Sequence, residues 1–288
     1  MQTIATHSGS FHADDAFAVA ALTRFLAPEA VRIVRTRDEA VIAAAEWALD
    51  VGGEHDPARH RFDHHQSGAP IRENGIPYAA FGLIWQHVGE ALAGSPEAAA
   101  IVDERLAQPI DAGDNGVPTY TVTELGIAPV TVPGVISLLL PEWGSTEKKD
   151  DAFADAVRFA GTLLDRAIAH ARAELELAAL IKEAYESASE KRVLSFDRAV
   201  PAWAFVRYPD VAIVVSPDDN GSWKANAIQK EPGTFETRVS FPERWAGLRD
   251  SALAEASGIA DAVFCHKGRF LFIARSKEGA LAAAALAA

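Results

Sequence analysis

Histidine and aspartate are interleaved three times in the first 65 residues of this chain. The runs are His7-Ser8-Gly9-Ser10-Phe11-His12-Ala13-Asp14-Asp15, then Asp50 followed by His55 and Asp56, then Asp63-His64-His65. Six of the nine histidines lie here, where an even spread over 288 residues would put about two. Imidazole nitrogen and carboxylate oxygen are the usual ligands of divalent transition metals, so the first chemistry to consider is a metal site. A fourth run, Asp111-Ala112-Gly113-Asp114-Asn115-Gly116, adds two more carboxylates. One ion takes about four to six donors, and this set is larger; two ions about 3.5–4 Å apart, bridged by a carboxylate, would use it fully. Such a pair lowers the pKa of a bridging water and holds the oxygens of a phosphoryl group, which points to a metal-dependent hydrolase. Oxygen-rich ligation with some imidazole favours Mn2+, with Mg2+, Co2+ and Zn2+ as alternatives.

The surrounding pattern supplies elements that can bring these runs together. Thr3–Thr6 and Val31–Arg35 read as strands, Ala13–Leu26 and Glu39–Glu46 as helices, and Trp47–Val51 as a short apolar strand ending at Gly52-Gly53. Arg59–Phe62 leads into Asp63-His64-His65. This βαβα order predicts a mostly parallel, doubly wound sheet with helices on both faces. In such a sheet the carboxyl ends of the strands converge on one edge, where ligands bind. His7 then ends the first strand, His12 and Asp14 follow it, and Asp50 and the Asp63-His64-His65 run end later strands. Each run alone has a plainer reading. Asp114-Asn115-Gly116 makes a good turn, Asp15 can simply charge a helix start, and His55 and His60 sit on turn-like sequence and read as structural or exposed.

Further along, Tyr78–Ala93 and Glu97–Gln108 read as helices, the second capped by Ser95-Pro96. Thr146–Lys191 is rich in Ala, Glu and Leu and reads as a long helix, broken once at most, joining two domains. Beyond it, Val193–Phe196, Val211–Val215, Trp223–Ile228, Ala262–Cys265 and Phe270–Ile273 read as strands, with helices over Asp250–Ala256 and Lys277–Ala287. The expected architecture is therefore an α/β catalytic domain over 1–145, a helical linker over 146–190 and a smaller α/β domain over 191–288.

Composition narrows the function classes. Half the chain is hydrophobic, enough for a sizeable core, and no apolar run approaches the ~20 residues that span a bilayer. The start, Met1-Gln2-Thr3-Ile4, does not read as a signal peptide, and the single Cys265 excludes an internal disulfide, so a cytoplasmic setting and no membrane partner are expected. The net charge of −13 disfavours tight binding to long nucleic acid. It is uneven, though: from Lys191 onward there are 13 Lys/Arg and 11 Asp/Glu, leaving 14 and 29 before it. An acidic half suits cations, and a mildly basic half suits an anionic substrate. There Lys224, Arg249, His266, Lys267 and Arg275 are candidate substrate contacts, although ordinary surface charge explains any one of them. Trp223 can stack a base but fits a strand core as well, and Cys265 reads as a small buried hydrophobe.

With these motifs in place, the chain resembles the MYG1 (UPF0160) family of the DHH phosphoesterase superfamily. The resemblance rests on Thr6-His7-Ser8-Gly9-Ser10-Phe11-His12-Ala13-Asp14-Asp15, Asp50-Val51-Gly52-Gly53, Asp63-His64-His65-Gln66 and Asp111–Gly116. It continues through Phe241–Asp250 and Ser257-Gly258-Ile259. It implies a two-domain phosphodiesterase with a dinuclear, usually Mn2+, centre between the domains. It assigns Asp14 as the retained aspartate of the first motif, with His12 replacing the other, and Asp50 as the bridging carboxylate. His64 and His65 become the paired histidines, His65 the proton donor and His64 a metal or phosphate contact. Asp114 is the preferred ligand of the fourth motif, with Asp111 behind it, so the full metal set is His7, His12, Asp14, Asp50, Asp63, His64, Asp111 and Asp114. The family is linked to 3′–5′ RNA exonuclease activity in its eukaryotic members, and since the net charge fits a short substrate better, the expected activity is on short RNA or oligonucleotides, with a hydroxide bridged by the two metals attacking phosphorus. A protease label also attached to the family finds no His-Glu-x-x-His motif here. The glycine pair that approaches phosphate in related proteins is missing from Phe270–Arg275. Two alternatives stand beside this: a hydrolase of a small phosphoanhydride or cyclic nucleotide, and a non-catalytic metal- or nucleotide-binding regulator. The sequence leaves a homodimer open.

Overall fold

The computed structural model describes residues 1–234 and 236–287. The chain divides into two compact units, Met1–Leu175 and Glu176–Ala288. The first is built on a five-stranded sheet in the order β2-β1-β3-β5-β4, where β1 is Gln2–Thr6, β2 Val31–Arg35, β3 Trp47–Leu49, β4 His55–Asp56 and β5 Arg61–Phe62. β1 pairs in parallel with β2 and β3, and β3 with β5; the short β4 alone runs antiparallel, against β5. The parallel strands are thus aligned with their carboxyl ends on one edge, the edge that carries His7, Asp50 and the Asp63-His64-His65 run.

Strand alternation decides which side chains meet which helix. Ile4, Trp47, Leu49 and Phe62 join the main core with helices α1 (Ala13–Leu26) and α3 (Ala80–Ala93). Ala5 and Ala48 face the other way, into a small cluster with Ile42 of helix α2 (Glu39–Ala44). Helix therefore packs on both faces of the sheet, on the second face only over β1 and β3. Phe17, Leu22 and Phe81 are fully buried in the main core, each such side chain contributing about 1.5–3 kcal/mol. Helix starts follow local chemistry: Asp38 accepts from the amides of Ala40 and Val41 at the start of α2. Ser95 accepts from Ala98 N ahead of Pro96, which opens helix α4 (Pro96–Val102).

Several boundaries differ from the sequence expectation. Residues 57–59 form a 3-10 turn, so the strand before Asp63 is only two residues long. The single helix expected over Glu97–Gln108 is instead α4, a π turn over Asp103–Ala107, and helix α5 (Gln108–Asp114). The inserted turn rotates every later residue about the axis, a change that apolar periodicity does not register. Asp111 and Asp114 accordingly lie within α5 rather than in a loop after a helix. A short helix α6 (Val132–Ser137) follows. The long helix α7 (Lys149–Ser187) is unbroken. Its Phe153, Ala156, Ala160, Leu164 and Ala171 are buried in the first unit's core, and Ile181 in a core of the second unit.

The second unit carries the sheet β6-β7-β8-β10-β9, with β6 Val193–Ser195, β7 Ile213–Pro217, β8 Trp223–Ala227, β9 Ala262–Cys265 and β10 Leu271–Ala274. Only β6 and β7 are parallel; the remaining pairs are antiparallel, so this is a mixed sheet. Helices α8 (Asp250–Ser257) and α9 (Lys277–Ala285) complete it, and Phe241, Trp245, Cys265 and Phe272 are buried in its core. Among the described residues no helix is long and apolar enough to cross a membrane.

Candidate metal centre

Four segments deliver donors to one place at the carboxyl edge of the first sheet. His7 follows β1 directly. His12 caps α1: its amide donates to Asp15 Oδ1 (2.9 Å), fixing the first turn that also bears Asp14. Asp50 follows β3 with a positive φ of 56°, uncommon for a residue with a side chain, and its amide is held by Phe62 O (2.9 Å). Backbone held off its preferred conformation at a strand end is where functional geometry is often stored.

The distances show how the pieces interlock. His7 Nε2 lies 3.0 Å from Asp15 Oδ2 and 3.2 Å from Asp50 Oδ2. His64 Nε2 lies 3.3 Å from the other oxygen of Asp50 and 3.3 Å from Asp114 Oδ2. His12 Nδ1 lies 3.3 Å from Asp114 Oδ1, and His65 Nδ1 3.5 Å from Asp50 Oδ1. Three groups of donors are compact enough to hold a cation: His7, Asp15 and Asp50; Asp50, His64 and His65; His12, Asp14 and Asp114. Asp50 belongs to two of them, through different oxygens.

Burial and mutual proximity perturb the charges of the cluster strongly. Burial works to lower the His7 and His64 pKa values, but the carboxylates around them outweigh it and raise both to about 10. Burial pushes Asp14 well above the usual carboxylate range, helped by Asp50 and Asp114. Asp114 is held well below that range, because His12 and His64 outweigh its burial. Asp15 is raised by burial, and Asp50 is lowered by His64 and His7 in spite of it. The buried atoms His7 Nε2, His64 Nε2, Asp14 Oδ1, Asp15 Oδ2 and Asp50 Oδ1 make no hydrogen bond of acceptable geometry. Unpaired buried polar atoms are costly. Converging as they do, these carboxylate oxygens and neutral imidazole nitrogens fit divalent cations.

The structure thus brings together His7, His12, Asp14, Asp50, His64, His65 and Asp114 from the sequence-predicted set, and adds Asp15. In the sequence Asp15 reads as a helix-start charge, and one of its oxygens does cap α1 while the other faces His7. Its signal in the sequence is the doubled aspartate after His12.

Asp63 and Asp111 lie in none of the three groups. Asp63 Oδ1 accepts from the amides of His64 (2.8 Å) and His65 (3.2 Å) and sits 2.7 Å from His65 Nδ1, while Oδ2 accepts from Gly53 N. It ties the paired histidines to the Gly52-Gly53 turn. Asp111 is buried; Oδ1 accepts from Gly82 N (3.0 Å) and Oδ2 lies 2.8 Å from Arg72 Nη2. Arg72 also meets Asp103 of the π turn at 2.8 Å and stacks over Tyr78. Burial raises the Asp111 carboxyl to about 7 although Arg72 opposes it.

The expected substrate contacts lie in the second unit. Lys224 pairs with Asp218 at 3.2 Å, the Arg249 guanidinium lies over the Phe264 ring, and the His266 ring is 4.2 Å from that of Phe270. Lys267 and Arg275 are exposed or partly so and, among the described residues, lack a carboxylate partner. Cys265 is buried in the core, and burial raises its thiol to about 11.

A family model named MYG1_exonuc, described as "Uncharacterised protein family (UPF0160)", matches residues 3–288. The chain is 32% identical to MYG1 exonuclease of Homo sapiens over 98% of its own length and 84% of that protein's. An MYG1 protein of Schizosaccharomyces pombe is 30% identical over 96% of this chain and 94% of the relative. One from Chlamydia muridarum is 32% identical over 96% and 93%. Among solved structures, RecJ in complex with Mg2+ from Thermus thermophilus aligns at 12% identity and a TM-score of 0.25, covering 99% of this chain and 49% of that one. An uncharacterized protein from Helicobacter pylori aligns at 11% identity and a TM-score of 0.30, covering 96% and 93%.

Proposed function

The chain belongs to the MYG1 (UPF0160) family, and on that premise we propose that it is a metal-dependent phosphodiesterase acting as a 3′–5′ exonuclease on short RNA or oligonucleotides. The observation that carries this reading is Asp50, whose two oxygens face two different donor groups as a bridging carboxylate would. His7, Asp15 and Asp50 would hold one divalent cation, Mn2+ by preference, and Asp14, Asp50, His64, His12 and Asp114 a second. When bound, such a pair supplies Lewis acidity that activates water and neutralises charge building on the phosphoryl oxygens.

The protein's own residues do the rest. Asp50 fixes the spacing of the two groups. Asp63 orients His65 through Nδ1, which leaves Nε2 as the free ring nitrogen. The His65 side chain is 63% exposed against 6% for His64, so His65 is the histidine with room to meet substrate and exchange protons. His65 gives its proton to the leaving oxygen, and His64 stays with the buried carboxylates. The lysines, arginines and histidine named in the second unit are assigned to substrate.

The test is hydrolysis of a 5′-labelled RNA of about five nucleotides by metal-stripped protein with Mn2+ restored. A product ladder that needs the metal, and is lost in Asp50→Asn and His64→Ala variants that still fold, supports the reading. Cleavage confined to bis(p-nitrophenyl) phosphate contradicts the polynucleotide part. Near wild-type activity in either variant contradicts the assigned centre.

A further inference from the structure

Three of the parallel strands end in a residue of the donor cluster: His7 after β1, Asp50 after β3, and the paired histidines after β5. The fourth, β2, also runs to that edge, paired with β1 up to Thr6 against Arg35. Two residues on stands Arg37. Thr36 N donates to Thr6 O (2.8 Å), so the backbone that carries Arg37 is fastened beside the segment that carries His7.

Arg37 is exposed, and among the described residues its guanidinium makes a single hydrogen bond, a long one (3.4 Å) from Nε to Ser8 O. Among the described residues it has no carboxylate partner, although it stands in the acidic part of the chain. Of the nearby charges, Asp38 caps α2, Arg35 pairs with Asp150, and Arg59 pairs with Glu54. A cleft of about 330 Å³ over the donor cluster has Arg37 in its wall together with His7, His12, Asp50 and His65. A second cleft, of about 470 Å³, continues from it, and Arg37, Val51, Gly52 and Gly53 belong to both. Arg59 and Arg61 also line the second, together with Glu39 and Glu54, the latter paired with Arg59. Arg61 donates to the carbonyls of Ala43 and Ala45 at the end of α2. Between the clefts the floor is the Gly52-Gly53 backbone, with φ of 102° and 68°. A Cβ there would be strained, so this stretch stays bare and a sugar-phosphate strand can approach it closely.

We propose that Arg37 binds the phosphate next to the scissile one, and that the Arg37–Gly53–Arg61 cleft is the path by which an oligonucleotide leaves the metal centre. This rests on the phosphodiesterase reading above and extends it to a contact that selects a chain of nucleotides over a single ester. Cations held at the cluster would take the scissile phosphate, and a free guanidinium fork just beyond them matches a second one.

The experiment measures KM and kcat on a labelled pentanucleotide RNA for the wild type, Arg37→Ala and Arg37→Lys. It repeats this with a neutral methylphosphonate replacing each phosphate in turn. The expected result is a rise in KM of about tenfold or more for Arg37→Ala, with the loss falling on KM rather than kcat and only partly restored by lysine, which keeps the charge but not the fork. The salt slope of log KM should flatten by about 0.7, one phosphate contact on a single strand. The variant's penalty should vanish when the phosphate adjacent to the scissile one is the methylphosphonate, as coupled partners require. An unchanged KM overturns the proposal, as does a penalty that persists equally at every methylphosphonate position, which is bulk attraction. If the wild type cleaves RNA and either of those contrary results appears, only the Arg37 contact falls. If the wild type cleaves no RNA, the nuclease reading falls and this proposal with it.

Discussion

Arg72 Nη2 lies 2.8 Å from Asp111 Oδ2 in the interior of the first unit, with both side chains almost wholly buried. The same nitrogen lies 2.8 Å from Asp103, so one guanidinium clamps the π turn to the helix that follows it. Asp114, three residues past Asp111 on α5, is thereby aimed at His12 and His64. Removing one partner of a buried ion pair costs about 3–5 kcal/mol, because the other charge is left unpaired. Arg72→Gln is therefore expected to lower the melting temperature sharply, and to weaken metal binding in whatever fraction still folds. Gly82→Ala should act alike, since its new Cβ would collide with Asp111 Oδ2 and Arg72 Nη2. Calorimetric melts and metal titration check both. A variant that melts with the wild type would show that the clamp is dispensable.

His65 should separate chemistry from metal binding. It is oriented by Asp63 at 2.7 Å, yet is largely exposed. His65→Gln is expected to lower kcat on RNA by about 10²–10⁴-fold, the usual worth of a positioned acid. A p-nitrophenyl ester, whose leaving group needs no proton, should suffer much less. Equal losses on both substrates would assign His65 to metal binding instead.

Stability of the stripped protein should depend on pH in a definite direction. His7 and His64 have folded pKa values of about 10 against an ordinary 6.5, so each favours the folded state when protonated. That contribution is complete below about 6.5 and is lost as pH rises through about 10. Bound metal takes these imidazoles neutral, so protons leave when it binds and its affinity falls with falling pH. Thermal melts of stripped protein should move down between pH 7 and pH 9, while melts with Mn2+ should not. A stripped protein equally stable at both values would mean that the histidines are not held as cations by the carboxylates.

The sequence makes the centre's outline readable and hides its supports. His7, Asp50 and His64 can be placed because short strands with alternating or apolar patterns end just before them, and parallel strands share an edge. Helix α1 begins and ends where its apolar spacing says. The π turn leaves no trace, because one added residue in an Ala- and Leu-containing helix changes no composition and little periodicity. Asp111 and Asp114 therefore look equivalent in Asp111-Ala112-Gly113-Asp114, whereas the added turn buries the first against Arg72 and presents the second to the histidines. Nothing near Arg72 in the sequence, a polar stretch reading Arg72-Glu73-Asn74-Gly75, signals a buried guanidinium. Asp15 is hidden by a sufficient local explanation, since a carboxylate at a helix start needs no further role.

As proposed here, Asp50 would bridge two cations. Anomalous scattering from crystals of the Mn2+-loaded protein, collected at the manganese edge, tests it directly. The expected result is two peaks about 3.5–4 Å apart, with one Asp50 oxygen toward His7 and Asp15 and the other toward His64 and Asp114, and loss of the pair in Asp50→Asn. A single peak, or a pair that survives Asp50→Asn intact, would contradict it.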